Sequence, residues 1–192
     1  MLVRKYLILF LIAIISFSCQ SSKKEVIDKE KLKVELSQHA DNFMIGLKSV
    51  LLANMKEGGP LKAVNVCSDT ATQLTDFYSE TMGITVKRIS FKNRNVNNTP
   101  DAFEEKALMI FNNLHKEDKL NKNSSLFELS ENGVAKLVKP ILIGAPCLTC
   151  HGDEAQISEE VAKVIMEKYP EDKATGYKVG DLRGAISVTA KL

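Results

Sequence analysis

Cys147, Leu148, Thr149, Cys150 and His151 form a C-x-x-C-H run. Thiols three positions apart share one side of a helical turn, and a histidine directly after the second reaches out from that same side. This spacing suits c-type haem attachment. Each thiol adds across one porphyrin vinyl group, its sulfur bonding one vinyl carbon while the hydrogen goes to the other, and the imidazole becomes the fifth iron ligand. Cys147 and Cys150 are therefore candidates to hold one covalent haem c, and His151 to bind its iron. Three other chemistries use similar residues. A thioredoxin-type pair belongs at a helix start after a strand in a βαβ unit. A structural zinc site needs more ligands, and the chain has neither a second C-x-x-C nor a histidine pair. A plain Cys147–Cys150 disulfide would leave His151 without a role.

Two cysteines remain, Cys19 and Cys67. Arg4 and Lys5 precede an apolar run from Leu7 to Phe17, followed by Ser18 and Cys19. That is the layout of a secretory signal, and the run is shorter than the roughly 20 residues a spanning helix needs. A cysteine at the cleavage point makes residues 1–19 a lipoprotein signal peptide, with Cys19 as the lipidated residue. Ser16 stands where leucine is usual and Phe17 is bulky for its place, so plain secretion and an uncleaved anchor are the alternatives. Gln20, not an aspartate, follows the cysteine, so inner-membrane retention is not signalled. The expected place is the cell envelope, lipid-anchored, facing periplasm or exterior, with the outer membrane favoured. Thioethers are assembled outside the cytoplasm, which agrees. Cys67 is then unpaired. On spacing alone it is either a small residue on an apolar helix face or a metal-bound thiolate, and both readings stand.

The 192-residue chain suits one domain, and its net charge of +2 gives no electrostatic case for nucleic acid. Tryptophan is absent and aromatics are sparse, which weakens carbohydrate or base stacking. No acid/base constellation suggests an enzyme.

The positioning elements follow from periodicity. Residues 20–30 are polar and lysine-rich, a tether. Leu32, Leu36, Phe43, Leu47, Val50 and Leu51 predict a helix over 31–56, which Gly58-Gly59-Pro60 breaks. Val64, Cys67, Ala71, Leu74 and Tyr78 share one face of a second helix, closed by Gly83. Residues 84–91 alternate as a strand, and the asparagine-rich 93–98 form a loop. Thr99-Pro100-Asp101 starts a helix whose buried stripe is Phe103, Ala107, Ile110 and Leu114. Strands at 125–130 and 134–143 flank Glu131-Asn132-Gly133, a hairpin signal. A helix at 158–169 and a strand at 184–190 complete an α+β domain, residues 31–192, with an antiparallel sheet.

Arg88 and Arg94 flank the loop as candidate partners for haem propionates, or as solvated strand-edge residues. His39 and His115 are weaker candidates for a sixth iron ligand. Met44, Met55, Met82, Met109 and Met166 read mainly as core filler.

Several runs recur together in one family. They are Ala63-Val64-Asn65-Val66-Cys67, Val86 through Asn95, and Asn98 through Glu104, then Pro146 through Gly152, Tyr169-Pro170 with Ala174 through Tyr177, and Gly180 through Ser187. In this the chain resembles the Tll-type, PAS-like c-haem domain family over nearly all of its mature length. Ile89, Val96 and Phe103 depart from residues common in the family. The resemblance implies a PAS-like sheet with flanking helices and a long N-terminal helix. It also implies Cys67 as the sixth iron ligand opposite His151. A thiolate there favours ferric iron and a low potential. Two roles follow: electron transfer with a redox partner protein, or redox or gas sensing read out by a signalling partner.

Overall fold

The computed structural model describes residues 28–192, apart from the side chains of residues 67–70. The signal peptide, Cys19 and most of the tether lie outside the described residues.

Helix α1 (Lys29–Met82) starts before the expected Lys31 because Asp28 caps it, its carboxylate accepting the amides of Glu30 and Lys31 at 3.1 Å each. The break falls where the sequence places it. Gly58 is non-helical, and Gly59 has φ 70°, a conformation that costs a side-chain-bearing residue heavily. Pro60 has no amide to bond the preceding turn, so it opens the second segment without loss. Gly83, at φ 65°, ends the helix by donating its amide to the carbonyl of Tyr78.

The strands β1 (Ile84–Ile89), β2 (Leu126–Leu129), β3 (Val134–Leu142) and β4 (Leu182–Lys191) make a four-stranded antiparallel sheet in the order β1-β4-β3-β2. Ser90 ends β1 by turning its hydroxyl to the carbonyl of Arg183 and accepting the amide of Lys92. Pro140 lies on β3 beyond the last residue paired with β2, on a stretch left as an edge, where a missing amide donor is tolerated.

Strand alternation sorts the core into two layers. Val86, Leu137, Ile186 and Val188 face α1, meeting Leu36, Ala40, Phe43 and Tyr78. Ile89, Val138 and Ala185 face the opposite way, onto α2 (Ala102–Lys116). A fully buried side chain such as Phe43 contributes roughly 1.5–3 kcal/mol by leaving water. The short α3 (Leu148–His151) carries the C-x-x-C-H run, and α4 (Glu159–Lys168) packs through Val161 and Ile165 on Val64 of α1. The α+β class, the antiparallel sheet and the long N-terminal helix all agree with expectation.

Two expectations need correction. The fully buried line of α2 is Glu104, Ala107, Leu108 and Phe111, while Phe103, Ile110 and Leu114 pack at its margin. The displacement has a polar cause: Glu104 is drawn inward by the Lys87 ammonium at 3.1 Å and by the Asp101 amide at 2.8 Å. Among the methionines, Met44 packs on the core, whereas Met82, Met109 and Met166 are exposed. Helical spacing without a facing element does not bury a side chain.

Asp101 caps α2 through the Glu104 amide at 2.9 Å and pairs with Lys136. Burial alone would raise its pKa; the Lys136 hydrogen bond and charge, with the cap amides, outweigh that and lower it. Replacing it, Asp101→Ala, is expected to cost about 1 kcal/mol in denaturant unfolding at neutral pH. A lowered carboxyl contributes stability above the ordinary aspartate value of about 3.9 and loses it as pH falls through its folded value. The gap between wild type and variant should therefore close as the titration is carried below about pH 4.

Candidate functional site

A cavity of about 540 Å³ opens between α1, the ends of β1 and β3, and the turn bearing the two vicinal thiols. Small-molecule sites run roughly 300–1,000 Å³, so the space is of ligand size. The break in α1 shapes it: Leu47 and Leu51 line it from one segment and Val64 from the other. Ile45, Leu52 and Leu142 also line it, which accounts for large apolar side chains being exposed there.

The turn is built by a short 3₁₀ piece, Ala145–Cys147, running directly into α3. Pro146 suits a first helical turn, and Cys147 Sγ accepts the Gly144 amide at 3.4 Å. Both thiols are free and half-buried. Cys150 packs on the cluster of Val64, Val161 and Ile165; Cys147 packs on that of Ile143, Ala174 and Tyr177. Burial pushes the Cys150 thiol up, against the opposing pull of Thr149 and Arg94.

His151 Nδ1 lies 2.7 Å from the carbonyl oxygen of Ala174. A carbonyl can only accept, so Nδ1 carries the hydrogen and Nε2 keeps its lone pair. Burial holds the imidazole well below its usual pKa, helped by the positive charges of Arg183, Arg94 and Arg88 and opposed by the Ala174 bond. The ring is therefore neutral and preset as a metal ligand through Nε2, with a carbonyl behind it as such histidines ordinarily have. Tyr177 packs edge-on to it at 6.3 Å.

Two backbone bonds hold the return loop to this turn: the Tyr177 amide to the His151 carbonyl at 3.0 Å, and the Gly176 amide to the Gly152 carbonyl at 2.8 Å. The loop is also tied to the asparagine-rich segment, with the Lys173 amide on the Asn93 carbonyl at 3.1 Å.

Among the described residues, the cavity wall carries the cations Lys48, Arg88, Arg94, Lys122, Lys139 and Arg183 against one carboxylate, Asp41. That carboxylate is already taken by Lys139, at 2.7 Å. Burial lowers the Arg183 pKa, and Arg94 and Arg88 press it further down while Tyr177 and Asp172 oppose. A largely apolar cavity with surplus positive charge favours an apolar ligand that carries anionic groups. Two thiols, one neutral imidazole and this lining fit the covalent haem expected from the sequence.

A family model for Tll0287-like proteins, Tll0287, matches residues 19–190. The chain belongs to the Tll0287-like family. A crystal structure of the cyanobacterial heme-protein Tll0287 matches with a TM-score of 0.63 and 25% identity, covering 86% of this chain and 97% of that one. Comparison with curated protein sequences gives no match.

In this Tll0287-like protein the structure brings Cys147, Cys150, His151, Arg88 and Arg94 to one cavity. Arg94 also has partners on its own chain. Its Nη2 is engaged by Asp172 at 3.0 Å and by the carbonyls of Cys150 at 2.5 Å and Ala174 at 3.3 Å. Cys67 falls on the second segment of α1, its side chain outside the described residues. His39 packs edge-on to Tyr78, and His115 bonds the Gly180 carbonyl through Nε2 at 2.9 Å; neither lines the cavity. Arg183, Asp172 and Ala174 were not singled out by sequence reasoning as site residues. Arg183 and Ala174 stand within runs shared with the family, whereas Asp172 carries no local signal.

Gly184 lines the cavity floor at φ 152°, and a Cβ there would run into the Ile89 carbonyl oxygen. Gly184→Ala is expected to cost roughly 1–3 kcal/mol in thermal or denaturant unfolding, because backbone would have to move in a central strand.

Proposed function

We propose that this chain is a haem c-binding protein of the cell envelope, a low-potential monohaem cytochrome acting in electron transfer. One observation carries the reading: a C-x-x-C-H turn lies on the wall of a ligand-sized cavity, its imidazole held by the Ala174 carbonyl through Nδ1 so that Nε2 keeps its lone pair. Membership of the Tll0287-like family, and the likeness to a heme-protein, support it.

Cys147 and Cys150 would hold the porphyrin by thioethers, and His151 and Cys67 would bind its iron. Such a group supplies a one-electron ferric/ferrous couple. The chain's own residues then set the conditions. Leu47, Leu51, Ile141 and Ile143 keep the cavity apolar, and Arg88 and Arg183 offer cationic partners for the propionates. An anionic Cys67 thiolate opposite a neutral His151 offsets the charge of ferric iron, which lowers the potential. With His151 and Cys67 both bound to the iron, the protein would not be an enzyme. It would take no nucleic-acid partner. Attachment to the membrane would run through lipid on Cys19, with the domain facing periplasm or exterior. Among the described residues no helix is long and apolar enough to cross a membrane.

A second reading, redox or gas sensing through a partner protein, draws on the break in α1. The non-helical Gly58 and Gly59 lie between the segment lining the cavity and the segment bearing Cys67. Loss of a Cys67 bond could move one segment against the other.

Protein matured in cells that build cytochromes c should carry one porphyrin mass on the Cys147–Cys150 peptide, lost in a Cys147→Ser, Cys150→Ser double variant. Colourless wild-type protein would refute the reading. Cys67→Ala should change the ferric absorption and EPR spectra and raise the midpoint potential, which is expected to be negative in the wild type. Rapid carbon monoxide binding to the ferrous form would favour sensing over a carrier. Cys19→Ser should move the protein from the membrane to the soluble fraction of the envelope.

A further inference from the structure

We propose that Arg94 is a positioning residue for His151, whose guanidinium controls how firmly the Ala174 carbonyl holds the imidazole N–H. The inference rests on the haem reading and concerns the residues behind the iron ligand.

The Arg94 side chain is 13% exposed, and its Nη2 reaches three oxygens: Asp172 Oδ2 at 3.0 Å, Cys150 O at 2.5 Å and Ala174 O at 3.3 Å. These belong to two separate segments. Cys150 is in the attachment turn, one residue before His151, while Asp172 and Ala174 are in the return loop. The Ala174 oxygen is the same atom that accepts His151 Nδ1–H at 2.7 Å. One carbonyl therefore serves an imidazole and a guanidinium together.

A carbonyl has two acceptor lone pairs, so both bonds can form, but they compete for the same electron density. The cationic donor draws density from the oxygen, and the imidazole N–H is then polarised less. A less polarised N–H leaves Nε2 a weaker electron donor to iron. Arg94 thereby makes the ferrous state easier to reach than His151 and Ala174 alone would allow. Its positive charge acts in the same direction.

Asp172 fixes the arrangement at both ends. Oδ2 takes the guanidinium, and Oδ1 accepts the Ala174 amide at 2.9 Å, locking the peptide whose carbonyl is shared. Arg94 Nε is buried without a hydrogen bond among the described residues. All three contacts are made by the one nitrogen Nη2. A lysine would keep the charge, but its ammonium ends one bond short of the Nη2 position.

The test compares holoprotein carrying Arg94→Gln, Arg94→Lys and Asp172→Asn with wild type by redox titration and ferric EPR. Arg94→Gln is expected to shift the ferric/ferrous equilibrium roughly tenfold toward ferric, a fall of about 59 mV for one electron. Its EPR spectrum should split into more than one species as the imidazole plane loses its reference. Arg94→Lys should keep part of the potential but still show the split spectrum. Lysine matching wild type in both measurements, or glutamine unchanged in both, would overturn the proposal. If Arg94→Gln does not accumulate, Asp172→Asn decides: it keeps an acceptor for the Ala174 amide and loosens the guanidinium, and an unsplit spectrum there overturns the inference too. Absence of porphyrin from the wild type refutes the functional reading itself; porphyrin present with unaltered variants refutes only this step.

Discussion

The hydrogen bond from His151 Nδ1 to the Ala174 carbonyl organises the site, because it decides which ring nitrogen is left to bind a metal. Neither partner could keep that bond alone. His151 is the last residue of a four-residue helix, too short to be stable by itself, and Ala174 is in a loop without regular structure. What holds them at 2.7 Å is a set of bonds running in parallel. The amides of Gly176 and Tyr177 bond the carbonyls on either side of the His151–Gly152 peptide, Asp172 takes the Ala174 amide, and Lys92 reaches the Thr175 carbonyl. Each contributes only about 1 kcal/mol net, yet each removes a freedom that the imidazole would otherwise exploit. The loop is ordered by the turn and the turn by the loop.

Space for a ligand comes from a different source, the chain break in α1. With Gly58 and Gly59 out of helical geometry, the second segment returns to bring Val64 onto α4 and toward Cys150, while the first stays on the sheet through Leu36 and Phe43. The cavity is the angle between those two commitments. Its charge follows from the same geometry. Arg88 and Arg183 come from paired neighbouring strands and Arg94 from the loop beyond β1, so three guanidiniums converge where the sheet ends. Burial works against keeping such charges together, and the lowered Arg183 pKa records it. Only an anion, or a feature such as Asp172, relieves that.

Much of this was legible in the sequence because it rests on local rules. Asp101 starts a helix, Gly58-Gly59-Pro60 interrupts one, Asn132-Gly133 turns a hairpin, and the C-x-x-C-H spacing names its own chemistry. What could not be read depends on contacts between distant residues. Arg94 and Asp172 meet from opposite halves of the domain, and nothing near either in the chain says that they pair. Periodicity offered Phe103 and Ile110 as the buried line of α2; the polar triad of Asp101, Glu104 and Lys87 turned the helix so that Leu108 and Phe111 went in instead. Met109 and Met166 repeat at helical spacing and still face solvent, since no element covers them.

The same distinction bears on Arg94, whose place in the sequence suits a propionate partner or a solvated loop residue equally. An arginine beside a haem motif is chemically suited to a propionate, and suitability is all that residue type can show. The fold adds a competing offer: a carboxylate and two carbonyls already in place on the cavity wall. Preformed acceptors on the protein require no ordering when a ligand arrives, so they claim the guanidinium first. An arginine near a cofactor site is therefore better assigned by what surrounds it on its own chain than by what the cofactor could use. In this cavity Arg94 and Arg183 both have such partners, Asp172 and two carbonyls for the one and the Lys92 carbonyl at 3.0 Å for the other.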